Sequence, residues 1–145
     1  MKKHIKSIAG VTLLEIMLVL AIASMVIVMS IRYYQNATNS QNVNTIMEQI
    51  QNITAAADNL AQGGGGYSAA STAAITSVAG AGNLKTPYGT AISISSNSGS
   101  VYTVATTGIP APVCTSLLSK MKSNTKYTSV ACTSGSLSYT YNASS

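Results

Sequence analysis

This chain of 145 residues has few side chains whose types and spacing could do chemistry. Its carboxylates are isolated from one another, and its two cysteines lie in the C-terminal third. The complete set is Glu15, Glu48, Asp58, His4, Cys114 and Cys132. So few acids offer no carboxylate pair for acid–base work, no hydrolytic triad and no metal cage. We therefore expect no catalytic residues, no metal site and no cofactor, and we expect that the chain is not an enzyme.

The two cysteines favour pairing over metal binding. An even cysteine count in a small chain rich in Ser, Thr and Asn is typical of an oxidising compartment. A structural zinc ion needs four ligands, and no close Cys or His pair accompanies Cys114 or Cys132. If the chain is exported, we expect a disulfide between them. Closing a loop of this length restricts the unfolded chain by about 3 kcal/mol in the entropy model.

The charge is low and concentrated at the N-terminus. Only 8% of residues are charged, and the formal net charge is +5, whereas soluble domains average about 25% charged residues. Lys2, Lys3 and Lys6 supply three of the eight basic groups. Removing residues 1–10 would leave five basic side chains and three acids, hence 5 − 3 = +2. Because the basic residues form no dense stripe, we expect no nucleic-acid partner.

A long apolar stretch covers residues 11–31, and Glu15 is its one charged residue. As a helix it would measure about 31 Å, close to the hydrocarbon core of a bilayer at about 30 Å. It is too long for the apolar part of a secretory signal, and Arg32 with the two tyrosines after it makes a poor cleavage site. The sequence predicts a membrane-spanning helix whose N-terminus faces the cytoplasm, because three lysines precede it.

Glu15 allows two interpretations of equal weight. A carboxylate at the membrane centre costs about 2.5–3.5 kcal/mol on insertion scales, so such residues are usually retained for a function. Alternatively, Glu15 lies near the cytoplasmic surface and reaches water without a partner.

The helical pattern continues beyond the apolar stretch. One apolar stripe has spacings of 3, 4, 3, 4 and 3 residues: Val43, Ile46, Ile50, Ile53, Ala57 and Leu60. The stripe is too short for a free coiled coil, which favours packing on a sheet. Four glycines, residues 63–66, should end the helix. Residues 11–62 thus predict one helix of about 78 Å, followed by a globular head at 63–145.

The head pattern predicts an α+β fold. Four segments alternate apolar and polar residues with period two: Ala91–Ser95, Val101–Thr106, Tyr127–Cys132 and Leu137–Tyr141. Turns are expected at 97–99 and 134–135, and short helices at about 70–79 and 114–122. The long helix should cross one face of an antiparallel sheet of about four strands. The cysteine pair should then clip the last strands to the second short helix.

The N-terminal residues resemble a known processing signal. A Lys-rich leader precedes Ala9-Gly10, and Val11-Thr12-Leu13-Leu14-Glu15 follows. This arrangement is similar to the class III signal of the type IV pilin family. The resemblance implies that a prepilin peptidase cuts between Gly10 and Val11, that Val11 is N-methylated, and that Glu15 and Val11 act in assembly. The first mature residue is often Phe in this family, whereas here it would be Val11. Residues 11–62 also contain no proline. Both features look more like the type IVb branch.

The family resemblance also implies a function. The chain would wait in the bacterial inner membrane as a single-pass prepilin, meet the pilus assembly machinery there, and polymerise with copies of itself into an extracellular fibre. Adhesion, aggregation or motility would be properties of that polymer. The family's helix-plus-sheet plan and its C-terminal disulfide loop agree with the pattern above. A minor pilin, a type II secretion pseudopilin and a single-pass membrane protein that never polymerises remain alternatives.

A small basic cluster lies within the predicted disulfide loop. Lys120, Lys122 and Lys126 either mark a solvated helix end, where the helix dipole favours Lys, or contact a neighbouring subunit, an anionic surface or DNA. The sequence favours the solvated helix end.

Overall fold

The computed structural model describes residues 8–144, with side chains described from Thr12 onward. Helix α1 covers Ile8–Leu60 without interruption. Its residues belong to two compact units, of which one ends at Thr38 and the other begins at Asn39. Most of the predicted leader, residues 1–7, lies outside the described residues. The long helix predicted over residues 11–62 is confirmed from residue 11 to residue 60, and it begins three residues earlier than predicted, at Ile8.

The second half of α1 packs on the head as the apolar stripe predicts. Val43, Ile46, Ile50, Ile53 and Ala57 are all buried in the core, and Leu60 is partly buried against it. Polar contacts add to this packing. The Tyr102 hydroxyl donates to Thr54 Oγ1 at 3.3 Å, and Gln49 Nε2 donates to the Lys85 carbonyl at 2.6 Å. Apolar burial and specific hydrogen bonds together fix the face of α1 that meets the head.

Helix α1 ends at Leu60, two residues before the predicted end at 62. A π-helical turn, Ala61–Gly65, follows, and then a 3-10 turn, Gly66–Ala69. The glycine run ends the helix because Gly64 adopts a φ of 100°, which side chains rarely tolerate. The α-helix ends early because its last turn widens into the π form, which begins at Ala61 and takes in three of the four glycines.

Four antiparallel strands form one sheet, in the order β1-β2-β4-β3. They are β1 (Ile92–Ser98), β2 (Val101–Thr106), β3 (Tyr127–Thr133) and β4 (Ser136–Asn142). Two short helices accompany them, α2 (Thr72–Ala79) and α3 (Ala111–Lys122). The predicted α+β class and the four strand positions are confirmed.

The first hairpin turn lies later than predicted. The sequence places it at residues 97–99, but β1 continues to Ser98, which pairs with Val101. A bulge between Ser96 and Ser98 makes this possible, because the extra residue lets the pairing continue to the end of β1. The turn itself is therefore formed by residues 99 and 100. The second predicted turn, at 134–135, is confirmed.

The exposed edge of β1 is partly covered by α2. Thr72 Oγ1 accepts from the Ile94 amide at 2.9 Å and donates to the Ile94 carbonyl at 3.1 Å. One hydroxyl thus satisfies both backbone groups that Ile94 would otherwise present at the sheet edge. Open edges invite pairing with other chains, so this contact protects the head from edge-to-edge association.

Gly66 joins the end of the helical region to the first hairpin. Its φ is +58°, and a Cβ added there would overlap the Gly99 carbonyl oxygen. The adjacent Tyr67 amide donates to that same oxygen at 2.9 Å. The close approach of the two backbones leaves no room for a side chain.

We expect Gly66→Ala to lower the free energy of unfolding by about 2–3 kcal/mol, because it combines backbone strain with a steric overlap. Denaturant unfolding of the full chain in detergent measures this. Gly63→Ala is the matched control, because a Cβ at Gly63 has no atom within 4 Å. Equal unfolding midpoints for the two variants would contradict the account.

Candidate functional site

The first half of α1 leaves a long apolar surface uncovered. Every residue from Thr12 to Ala37 is exposed, and the large apolar side chains between Leu13 and Ile31 retain between 52% and 72% of their accessible surface. By length and composition this is a helix able to cross a membrane, the one such helix among the described residues. Soluble proteins rarely expose so large a contiguous apolar area without a partner to cover it.

Two charges of opposite sign border this surface. Glu15 lies near its start and Arg32 near its end, separated by 17 residues or about 26 Å along the helix axis. Glu15 is exposed, and within the part of the chain that the structure describes it has no hydrogen bond or ion pair. A charge that must be buried with this surface needs a partner from elsewhere.

The predicted processing site is only partly described. Gly10 and Val11 belong to the backbone of α1, but the side chain of Val11 lies outside the described part of the chain. Cleavage between them, N-methylation of Val11 and its role in assembly stay predictions.

The predicted disulfide is confirmed. Cys114 in α3 is bonded to Cys132 in β3, with 6.1 Å between the two Cα atoms and 18 residues between them in sequence. Cys114 is buried, and Cys132 lies at the edge of the same core. The bond therefore links α3 covalently to β3, an edge strand of the sheet, as the sequence predicts.

Replacing both cysteines by alanine should destabilise the head by about 3 kcal/mol and lower its thermal midpoint by more than about 10 °C. Alanine is chosen because Cys114 is buried and a serine hydroxyl there would add a second cost. Thermal unfolding of the full chain gives the shift, and thiol reduction of the unaltered chain is the matched control. A change of under about 2 °C in both samples would rule out this role for the bond.

The three lysines of the disulfide loop do not act as one group. Lys120 Nζ donates to Asn44 Oδ1 at 2.9 Å and so ties the end of α3 to α1. Lys122 and Lys126 are exposed. Lys120 and Lys122 occupy the last turn of α3, where positive charge is favoured by the helix dipole. The arrangement is that of a helix end with one structural contact, the interpretation that the sequence favours.

Five tyrosines form an aromatic cluster that the sequence does not predict as a unit. Neighbouring ring centroids lie 5.1–5.9 Å apart. The members are Tyr67, Tyr102, Tyr127, Tyr139 and Tyr141. Alternation along β2 and β4 would have placed three of them on one face. Tyr67 comes from a 3-10 turn with no such pattern, so its place was not accessible to sequence reasoning.

Burial raises the pKa of three tyrosines in this cluster. It raises the pKa of Tyr102 and of Tyr139, whose side chains have almost no exposure. Burial also raises the pKa of Tyr67, and the Asp58 carboxylate, which accepts a hydrogen bond from its hydroxyl, raises it further. The Tyr139 hydroxyl is buried and has no hydrogen-bond partner. Burial therefore keeps Tyr67, Tyr102 and Tyr139 neutral, and the five rings pack together as part of the core.

Metal ligands do not gather in the region that the structure covers. Among the described side chains, no three His, Cys, Asp or Glu residues lie together. His4 lies outside that region.

Comparison with known families and curated sequences identified no relative of this chain. No model of a known protein family matches the chain, and no curated protein sequence matches it.

Proposed function

We propose that this chain is the structural subunit of a type IV pilus, of the type IVb kind. In this proposal a prepilin peptidase removes residues 1–10, Val11 becomes the N-methylated first residue, and the mature chain polymerises with copies of itself. It resides in the bacterial inner membrane before assembly and in an extracellular fibre afterwards. The observation that carries the proposal is the uncovered apolar surface of α1 with its unpartnered carboxylate, Glu15.

In this proposal the uncovered surface is buried first in the membrane and then in the fibre. Burying one large apolar side chain is favourable by about 1.5–3 kcal/mol relative to water, so residues 12–31 cannot remain in water. A bilayer covers them before assembly. In a fibre, the same helix of neighbouring subunits would cover them.

Apolar burial alone does not choose between bilayer and fibre, because lipid tails are as apolar as neighbouring helices. A polar contact must therefore set how the helices are staggered. Glu15 is suited to this, because pairing with the α-amine of Val11 on a neighbour satisfies both charges at one axial offset. An α-amine is mostly protonated at neutral pH, and methylation keeps its charge. Other offsets would leave a bare carboxylate in an apolar core.

The head supports this role through its surface. Residues 63–145 contain no Asp or Glu but four lysines, and none of the four lies in a strand: Lys85, Lys120, Lys122 and Lys126. Strands β2 and β4 direct Ser and Thr to the face opposite α1. This uncharged, hydroxyl-rich sheet face suits the exterior of a polymer in which many identical heads lie side by side, because no like charges meet across it. Adhesion or aggregation would be properties of this repeated surface.

Filaments sheared from the cell surface provide the test. We expect this chain as the dominant band, with a mass that begins at N-methylated Val11. A processed chain that is scarce in the filaments would favour a minor pilin or a pseudopilin. An unprocessed chain that begins at Met1 and is absent from filaments would favour a single-pass membrane protein that never polymerises, and it would overturn the proposal.

A further inference from the structure

Three consecutive residues with polar ends follow the apolar part of α1. Arg32, Tyr33 and Tyr34 come directly after Ile31 and before a stretch rich in Asn and Gln. Tyr33 is 78% exposed and Tyr34 is 72% exposed, and Arg32 is exposed as well. We call these three residues the outer collar.

The outer collar covers more than half of the helix circumference instead of forming one narrow face. Successive residues of a helix point about 100° apart, whereas a neighbouring helix contacts residues spaced three or four apart. Three consecutive large side chains therefore sweep about 200° at nearly one height. Such a ring suits a planar boundary that meets the helix from several sides.

The polar ends of the collar are not used inside the described chain. Neither the Tyr33 nor the Tyr34 hydroxyl has a hydrogen bond there, and Arg32 has no ion pair. The one nearby contact is backbone, because Thr38 Oγ1 donates to the Tyr34 carbonyl at 2.9 Å. The two phenol hydroxyls and the guanidinium are therefore available to donate hydrogen bonds to an acceptor outside the chain.

The distance from the collar to Glu15 matches a bilayer. Tyr33 follows Glu15 by 18 residues, which is about 27 Å of helix, and the hydrocarbon core is about 30 Å thick. With the collar at one interface, Glu15 lies close to the opposite one. Its carboxylate then reaches water at little cost, because the penalty for a charge falls toward the interface.

We propose that the outer collar binds the phospholipid headgroups of the outer leaflet and fixes the depth of α1 in the bilayer. The planar Arg32 guanidinium donates two hydrogen bonds to oxygens of one lipid phosphate. The two tyrosines place their rings among the glycerol groups with their hydroxyls toward water. The inference rests on the membrane stage of the proposed function and not on polymerisation.

Depth-dependent fluorescence quenching tests the inference. The chain contains no Trp, so Tyr34→Trp introduces a single reporter. The full chain, with residues 1–10 retained so that it does not assemble, is placed in vesicles of phosphatidylcholine and phosphatidylglycerol. We expect bromines near the headgroup end of the acyl chains to quench the reporter more strongly than bromines near the methyl end. Equal quenching from both positions, or quenching by aqueous iodide alone, would overturn the inference.

Ile22→Trp is the matched control. It lies 12 residues from Tyr34, about 18 Å along the helix, and should be quenched most by the deep bromines. If tryptophan merely drew any part of the helix to the interface, both reporters would give the same depth.

A second variant isolates the phosphate contact. Arg32→Glu in the Tyr34→Trp chain places a carboxylate beside the lipid phosphates, so the reporter should shift from bromine to iodide quenching. Arg32→Lys keeps the charge and should leave the reporter in place. An unchanged depth in Arg32→Glu would remove the arginine–phosphate contact from the inference. Because the measurement involves no fibres, its outcome is independent of whether the chain polymerises.

Discussion

Cells that carry Glu15→Ala should hold a normal amount of this chain in the membrane and yet assemble almost no fibres. The substitution removes an exposed side chain from a helix that is complete without it, so folding and insertion should be unaffected. In the proposed fibre it leaves the Val11 amine of a neighbour buried without a partner. Breaking a buried pair in this way costs about 3–5 kcal/mol, which lowers the affinity of each subunit for the fibre more than about a hundredfold.

Counting sheared filaments against the membrane pool measures the effect. Glu48→Ala is the matched control, because it removes an exposed carboxylate from the part of α1 that packs on the head and should leave the fibre yield unchanged. Glu15→Gln separates charge from shape, and it should fail like Glu15→Ala if the ion pair sets the stagger. A normal yield of Glu15→Ala filaments would show that Glu15 has no role in register.

The architecture of the head was largely predictable because it depends on periodicity. The stripe from Val43 to Leu60 is buried as its spacing requires, and β2 occupies the predicted Val101–Thr106. These patterns record which face of an element is apolar, and that face decides the packing. The disulfide also followed from composition, because two cysteines allow one pairing.

The remaining details depend on tertiary contacts with no local signal. The π-helical turn at the end of α1 and the bulge that moves the first hairpin turn reflect how α1 and β1 fit the rest of the head. The Gly66 contact with Gly99 joins positions 33 residues apart in sequence, and no spacing rule connects them. The sequence context identified Glu15 as a candidate functional residue. Its exposure and its lack of a partner among the described residues could be seen only in the structure.

The tyrosine cluster predicts an abrupt loss of stability in alkali. Tyrosine in an unfolded chain ionises near pH 10, whereas burial raises the pKa of Tyr102 and of Tyr139 in the folded head. Above about pH 10 the unfolded chain therefore releases protons that the folded chain keeps, and the equilibrium shifts toward unfolding. The stabilisation is complete below about pH 10 and is lost as the pH rises toward the folded-state pKa values.

The size of the effect follows from the number of protons. Each of these two tyrosines contributes a slope that is about 0.7 kcal/mol per pH unit at pH 10 and approaches about 1.4 well above it, so together they remove close to 3 kcal/mol per unit once the unfolded chain is fully ionised. A domain with a stability of about 5–15 kcal/mol loses much of it within two units. Urea unfolding of the full chain in detergent, repeated between about pH 9 and pH 11, measures the slope directly.

Tyr139→Phe is the decisive variant because it removes one titrating group together with a buried hydroxyl that has no partner. At neutral pH its stability should equal or exceed that of the unaltered chain, since no hydrogen bond is lost. Above about pH 10 its slope should be shallower by about 1.4 kcal/mol per unit. If both chains lose stability at the same rate, a group other than this buried phenol governs the alkaline transition, and the neutral tyrosine core is not its cause.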